Sequence, residues 1–100
     1  MNLITEHIAQ IKLLCDKSRV KSLFAFGSVI TDRFKGDSDV DLIVDIDADD
    51  PLDYSDKYFD LKFSLERLLN RKIDLVEQRA INNPYFVDEV NKTKVLVYGK

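Results

Sequence analysis

Apolar and polar residues follow a helical period in three parts of this chain. Apolar residues recur at three- and four-residue steps over about residues 2–17, which predicts an amphipathic helix. The same spacing predicts a second helix over about residues 54–69, with Asn70 as its stop. A third helix is predicted over residues 84–92, with Pro84 in its first turn, where proline is well tolerated.

Extended segments lie between these predicted helices. Residues 20–27 and 72–78 are predicted to form strands. Residues 40–46 alternate between an apolar and a more polar face, as a strand does. The apolar face carries Val40, Leu42, Val44 and Ile46, and the other face carries Asp41, Ile43 and Asp45. Strands interleaved with helices predict an α/β (α+β) fold in which a sheet packs against helices, as one domain over residues 1–100.

Three connecting segments are less regular. Residues 28–35 are expected to form one or two helical turns, and the stretch Asp45–Asp53, which contains Pro51, is expected to be an acidic loop. Residues 95–98 are expected to form either a short terminal strand or an extended tail.

Composition and charge narrow the classes of function. The net charge is −3 and no run of Lys and Arg occurs, which argues against a non-specific nucleic-acid binder. The first 20 residues contain Glu6 and Asp16 instead of a continuous apolar core, so no secretory signal is predicted. No apolar run approaches the ~18 residues of a membrane helix. We therefore expect a cytoplasmic protein without a membrane partner.

The single cysteine and the single histidine both lie in the first predicted helix. Because Cys15 is the single cysteine, an internal disulfide and a cysteine-based zinc site are excluded. Its place on the apolar stripe predicts a core position. His7 is expected to be a packed or half-exposed helix residue. It is far in the pattern from Ser28, so no Ser/His/Asp arrangement is predicted.

Three carboxylates point to metal-dependent chemistry. Asp39 and Asp41 lie two residues apart at the start of a strand, so both side chains project from one face. Asp74 lies between Ile73 and Leu75 on the third strand and also faces away from the apolar set. If the two strands are neighbours, the three like charges repel unless a hard divalent cation such as Mg²⁺ neutralises them. Three carboxylates can hold two such ions, which is the arrangement for in-line displacement at phosphorus.

Gly27 and Ser28 supply the second half of the predicted site. A glycine at a strand end lets the backbone approach a ligand closely, and a helix beginning at about Ser28 would direct N–H groups toward a phosphate. The chain has no Walker-type or dinucleotide-binding glycine motif and no EF-hand loop. A phosphate cradle facing a metal cluster predicts phosphoryl or nucleotidyl transfer.

These residues resemble the signature of the polymerase β-like nucleotidyltransferases. The signature is a Gly-Ser pair, ten residues and then D-x-D, here Gly27-Ser28 followed by Asp39-Val40-Asp41, with Asp74 in "KIDLV" as the third carboxylate. The short chain and its ending resemble the minimal nucleotidyltransferases, and the resemblance covers nearly the whole chain. Many relatives carry an Arg and a Gly soon after the Gly-Ser pair, whereas this chain has Val29-Ile30-Thr31-Asp32.

The resemblance implies a nucleotidyltransferase fold with a small mixed sheet of three to four strands flanked by helices. It also implies two Mg²⁺ ions held by Asp39, Asp41 and Asp74, and a triphosphate held by Gly27 and Ser28. Minimal members resemble antitoxins that add AMP from ATP to a tyrosine of a helical HEPN-type toxin. Two alternatives stay open: an antitoxin that acts by binding alone, and a transferase acting on a small molecule such as an aminoglycoside. A homo- or hetero-oligomer is also left open.

Four further residues are candidates for contact with the substrate or a partner. Arg33 and Lys35 are the basic residues that follow the Gly-Ser pair, and Tyr54 and Tyr85 lie near the starts of two predicted helices. For each of them, an exposed or packing position is the simpler expectation.

Overall fold

The fold alternates helices and strands in the predicted order. A computed structural model describes residues 2–30 and 39–99 of the chain. The helices are Asn2–Glu6 (α1), Ile8–Lys17 (α2), Pro51–Leu69 (α3) and Pro84–Thr93 (α4), and the strands are Val20–Phe26 (β1), Val40–Ile46 (β2), Ile73–Glu77 (β3) and Val95–Gly99 (β4). Single 3₁₀ turns at Gly27–Ile30 and Gln78–Ala80 follow β1 and β3.

The four strands form one mixed sheet in the order β3-β2-β1-β4. β1 pairs antiparallel with both β2 and β4, and β2 pairs parallel with β3. The carboxyl end of β1 therefore lies beside the amino ends of β2 and β3, at one edge of the sheet. This mixed sheet of four strands confirms the predicted fold class.

The main core lies between one face of the sheet and helices α1 to α3. The apolar face of β2 is fully buried there, as its alternation predicted. It packs with the inner residues of the other strands and with the helical stripes, represented by Leu23, Ile11, Leu61 and Leu65. Burying a side chain of this size stabilises the fold by about 1.5–3 kcal/mol. The polar face of β2 is consequently turned to the opposite side of the sheet.

Helix α4 covers part of that opposite side. Its first turn places Phe86 edge-on against Phe26 of β1, with ring centroids 5.9 Å apart. Just after its end, the Lys94 ammonium lies 4.2 Å from the ring centroid of Phe24. Ile43, on the same face of β2 as Asp41, is buried. The face that carries the carboxylates is therefore only partly open to solvent.

The observed boundaries correct three expectations. The first helix is interrupted at His7, whose ring Nδ1 lies 3.0 Å from the Leu3 carbonyl, so α1 and α2 are separate. Helix α3 begins at Pro51 and not at residue 54, because the Asp50 side chain accepts a hydrogen bond from the Asp53 N–H as an N-cap. The acidic loop is correspondingly shorter than Asp45–Asp53, since β2 runs through Ile46.

Two other expectations on the connecting segments have different outcomes. Residues 95–98 belong to a true edge strand, β4, which replaces the alternative of an extended tail. The predicted helical turns over residues 28–35 are described only as far as Ile30, and Arg33 and Lys35 lie outside the described residues.

No helix in the described ranges combines the length and the apolar character that crossing a membrane requires.

Cys15 is fully buried in the core, as its position in the apolar stripe predicted. Burial, with a smaller effect from the charge of Asp16, raises the pKa of its thiol to about 12.

We expect the native protein to resist a thiol-specific alkylating reagent at pH 8 and to react at once in urea, as followed by mass. Between pH 9 and 12 only the unfolded thiol ionises, so this group's contribution to stability should be lost as the pH rises through that window. Rapid alkylation without urea would contradict the burial of Cys15.

Candidate active site

The sheet brings two of the predicted carboxylates side by side at one edge. Asp41 is the second residue of β2 and Asp74 the second of β3, and the parallel register aligns them directly. On the other side of Asp41, the antiparallel register places Phe26, the last residue of β1. The strands that carry Asp41 and Asp74 are therefore neighbours, which was the condition for a carboxylate cluster. The Gly27-Ser28 turn follows β1 at the same edge of the sheet.

Gly27 is fitted closely against the Asp41 carboxylate. Its φ is +72°, a conformation that residues with a Cβ rarely adopt. A Cβ built on Gly27 would lie 2.5 Å from Asp41 Oδ2, which is closer than any real Cβ contact. The glycine thus allows the chain to turn and lets the backbone at the end of β1 approach the carboxylate.

The surroundings of Asp41 disfavour its charged form. Asp41 is half-buried, while Asp39 and Asp74 are exposed. Burial raises the pKa of Asp41, and the charge of Asp74, the charge of Asp39 and a hydrogen bond with the Asp74 side chain raise it further. Such an arrangement costs stability in the free protein and is typical of sites that receive a cation.

The remaining predicted site residues are placed less completely. Asp39 lies immediately before β2, and its charge acts on Asp41, so it belongs to the same cluster. Ser28 lies in the 3₁₀ turn Gly27–Ile30, which Val29 anchors in the core. Within residues 2–30 and 39–99, no group of three or more His, Cys, Asp or Glu side chains stands ready to hold a metal ion.

Two residues of α3 hold β3 in place, and sequence reasoning missed both roles. The Ile73 N–H donates to Glu66 Oε2 at 3.1 Å, and the Tyr58 hydroxyl donates to the Leu75 carbonyl. These backbone groups flank Asp74 on both sides, on the strand that begins the sheet order β3-β2-β1-β4. The helical spacing places Tyr58 on one apolar stripe with Leu61 and Leu65, but nothing in the sequence pattern links Glu66 to β3.

Tyr54 and Tyr85 are not part of the carboxylate cluster. Tyr54 is buried near the carboxyl end of β2, where the Arg79 guanidinium lies 4.2 Å from its ring centroid. Arg79 also donates to the Ile46 and Ala48 carbonyls, at 2.7 and 3.2 Å. Burial and the interaction with Glu77 raise the pKa of Tyr54 to about 12. Tyr85, in the first turn of α4, is largely exposed.

A mixed sheet with a glycine turn beside aligned strand carboxylates agrees with the nucleotidyltransferase fold that the Gly-Ser and D-x-D spacing predicts. The family described as "Polymerase beta, Nucleotidyltransferase" matches residues 9–100, and the chain belongs to that family. Among similar proteins of Methanocaldococcus jannaschii, "Putative protein adenylyltransferase MJ1379" is 34% identical over 86 residues, covering 86% of this chain and 85% of that protein. A second, "Putative protein adenylyltransferase MJ0128", is 37% identical with the same coverage.

Solved structures share the fold. A protein described as a "putative minimal nucleotidyltransferase" superposes with a TM-score of 0.71 at 28% identity, covering 95% of each chain. A toxin-antitoxin structure with AMP-PNP gives a TM-score of 0.71 at 21% identity, covering 93% of this chain and 73% of that one. A complex of a tri-AMPylated Shewanella oneidensis HEPN toxin with an MNT antitoxin gives 0.65 at 19% identity, with 97% and 73% covered.

Proposed function

We propose that this protein transfers AMP from ATP to a tyrosine hydroxyl of a HEPN-type toxin and thereby acts as its antitoxin. The observation that carries the proposal is the alignment of Asp41 with Asp74 beside Gly27, at the open edge of the sheet. Two relatives are named as protein adenylyltransferases, and two structural neighbours are toxin-antitoxin complexes, which supports a protein as the acceptor.

The donor set suits a hard divalent cation. Three carboxylates offer only oxygen ligands, and the repulsion that raises the pKa of Asp41 would be relieved by a positive ion. Mg²⁺ usually combines one or two carboxylates with the phosphate oxygens of a substrate, so the bound triphosphate would supply the remaining ligands. We assign Asp39, Asp41 and Asp74 to hold two Mg²⁺ ions, which would supply charge neutralisation at the transferred phosphoryl group.

Each residue of the site then has a separate task. Gly27 and Ser28 would bind the β- and γ-phosphates through the turn after β1. Asp39 and Asp41, through the cations they would hold, would fix the α-phosphate for attack. Asp74 would orient the acceptor hydroxyl and take up its proton. The acceptor oxygen forms a bond to the α-phosphorus, the bond to the bridging oxygen breaks, and pyrophosphate leaves.

Exposed apolar side chains on α3 support a protein as the binding partner. Leu52, Phe59 and Phe63 are all exposed, and the rings of Phe59 and Phe63 stack at 5.9 Å. Apolar side chains clustered on one surface are typical of a face that another protein covers.

The direct test uses ATP labelled at the α-phosphate, Mg²⁺ and, as the acceptor, the HEPN-type toxin that the proposal requires. We expect label on the toxin and a mass gain of one or more AMP groups, both abolished when a chelator removes Mg²⁺. A stable complex without label would overturn the transferase and leave an antitoxin that acts by binding. Label on an aminoglycoside, with none on the toxin, would redirect the proposal to a small-molecule acceptor.

The anchoring of β3 gives a prediction about activity. Glu66→Ala removes the acceptor of the Ile73 N–H and should let Asp74 shift relative to Asp41, so we expect transfer to fall about 10-fold or more. Glu66→Gln keeps an oxygen acceptor and should retain most activity. The measurement is the transfer rate as a function of Mg²⁺ concentration, with Glu89→Ala on exposed α4 as the control. Equal losses in the Ala and Gln variants would contradict a role for the hydrogen bond.

A further inference from the structure

A cavity lies on the carboxylate-bearing side of the sheet, between β2 and α4. Its volume is about 330 Å³. Four apolar and three polar side chains, from the sheet, from the segment after β3 and from α4, form its wall. The lining residues are Ile43, Gln78, Ile81, Val87, Val90, Asn91 and Lys94.

The cavity adjoins the proposed site. Ile43, at its floor, is two residues beyond Asp41 on the same face of β2, which places the two Cα atoms about 6.6 Å apart. The register also pairs Ile43 with Val76, which lies two residues beyond Asp74 on β3. A ligand seated over Ile43 can therefore extend along the strands to the carboxylates.

The wall from α4 is held at a fixed distance from the sheet. Val87, Val90, Asn91 and Lys94 follow one another at helical spacing and face the cavity together. Phe86 packs on Phe26 at one end of this stripe, and the Lys94 ammonium lies over the Phe24 ring at the other. The cavity is thus part of the folded structure and does not depend on a ligand to open it.

Two of the three polar side chains are carboxamides, both exposed to solvent, and the third is the Lys94 ammonium, which lies over the Phe24 ring. Gln78 follows the end of β3, and Asn91 lies in the third turn of α4. In the described part of the chain no hydrogen bond involves either side-chain amide. A carboxamide offers both a donor and an acceptor, which matches the mixed edges of a nucleobase, while Ile43, Ile81 and Val90 provide aliphatic surface for the faces of a ring.

We propose that this cavity binds the purine base of the nucleoside triphosphate, with Gln78 and Asn91 reading its edge. The inference rests on the proposed function. With the base in the cavity and the α-phosphate at the carboxylates, the ribose would lie between them. The alternative occupant, the phenol ring of an acceptor tyrosine, has a single hydroxyl and would leave most of the donors and acceptors of the two carboxamides unused.

The test compares a nucleotide with a probe that lacks a base. A fluorescent ATP analogue labelled on the ribose measures affinity directly, and tripolyphosphate competes for the phosphate-binding residues alone. We expect Gln78→Ala and Asn91→Ala each to weaken ATP binding about 3- to 10-fold and to reduce the preference for ATP over CTP. Tripolyphosphate should compete equally well in both variants. Asn82→Ala, an exposed amide outside the cavity, is the matched control and should change nothing.

The outcomes separate this inference from the proposed function. Unchanged ATP affinity and preference in both variants would overturn the cavity assignment, even if AMP transfer to the toxin is observed. A raised KM for the toxin with unchanged ATP affinity would assign the cavity to the acceptor and also overturn the proposal. Weakened ATP binding without any transfer in the wild-type protein would support the cavity and reject the transferase.

Discussion

Asp41→Asn is expected to lower AMP transfer at least about 10³-fold while leaving the fold intact. The amide keeps the size of the carboxylate but loses the negative charge proposed to hold Mg²⁺. Loss of about 4 kcal/mol of transition-state stabilisation corresponds to this factor. The measurement is single-turnover transfer of labelled AMP at saturating ATP and Mg²⁺.

The same substitution is expected to raise the free energy of unfolding in the absence of Mg²⁺. Asp41 is half-buried beside Asp74 and Asp39, so removing its charge relieves a like-charge repulsion. Asp45→Asn is the matched control, because Asp45 shares the strand and the face of Asp41 but pairs with Arg79 at 3.6 Å, at the opposite end of β2. Asp45→Asn should retain transfer. Near wild-type transfer by Asp41→Asn would reject the assigned site.

Gly27→Ala is expected to lower both stability and transfer. The positive φ alone costs an alanine roughly 1–2 kcal/mol. The new methyl group would also meet Asp41 Oδ2 at 2.5 Å, and the carboxylate, as the end of a side chain, can move aside. A displacement of about 1 Å in a catalytic group is sufficient for a 10²-fold loss of rate, and we expect a loss of that order. Urea unfolding and the transfer assay measure the two effects separately.

Asn70→Ala separates backbone strain from the contact with Asp41. Asn70 ends α3 with φ of +52°, so alanine there also carries a conformational cost, which is smaller than at Gly27 because asparagine already has a Cβ. Asn70 is not among the residues whose charge or hydrogen bond acts on Asp41. We expect a modest loss of stability with unchanged transfer by the folded protein. If both variants lose transfer in proportion to stability, Gly27 serves the fold and not the site.

Much of the chemistry could be predicted because it depends on local periodicity. The alternation of β2 placed Asp41 on the face opposite Val40 and Leu42, and the structure confirms this division. The same reasoning placed Asp74 opposite Ile73 and Leu75. Helix boundaries were predicted less well, since α1 and α2 separate at His7 and an N-cap lengthens α3 by one turn.

The sequence by itself determined which residues face the core, because the period of a strand or helix is set by backbone geometry alone. It also supplied the Gly-Ser and D-x-D spacing that indicates the family. Only the tertiary structure decided that Asp41 and Asp74 are aligned, that Gly27 lies against a carboxylate, and that Glu66 supports β3. These contacts join residues that are distant in the chain, and their partners are set by how the elements pack.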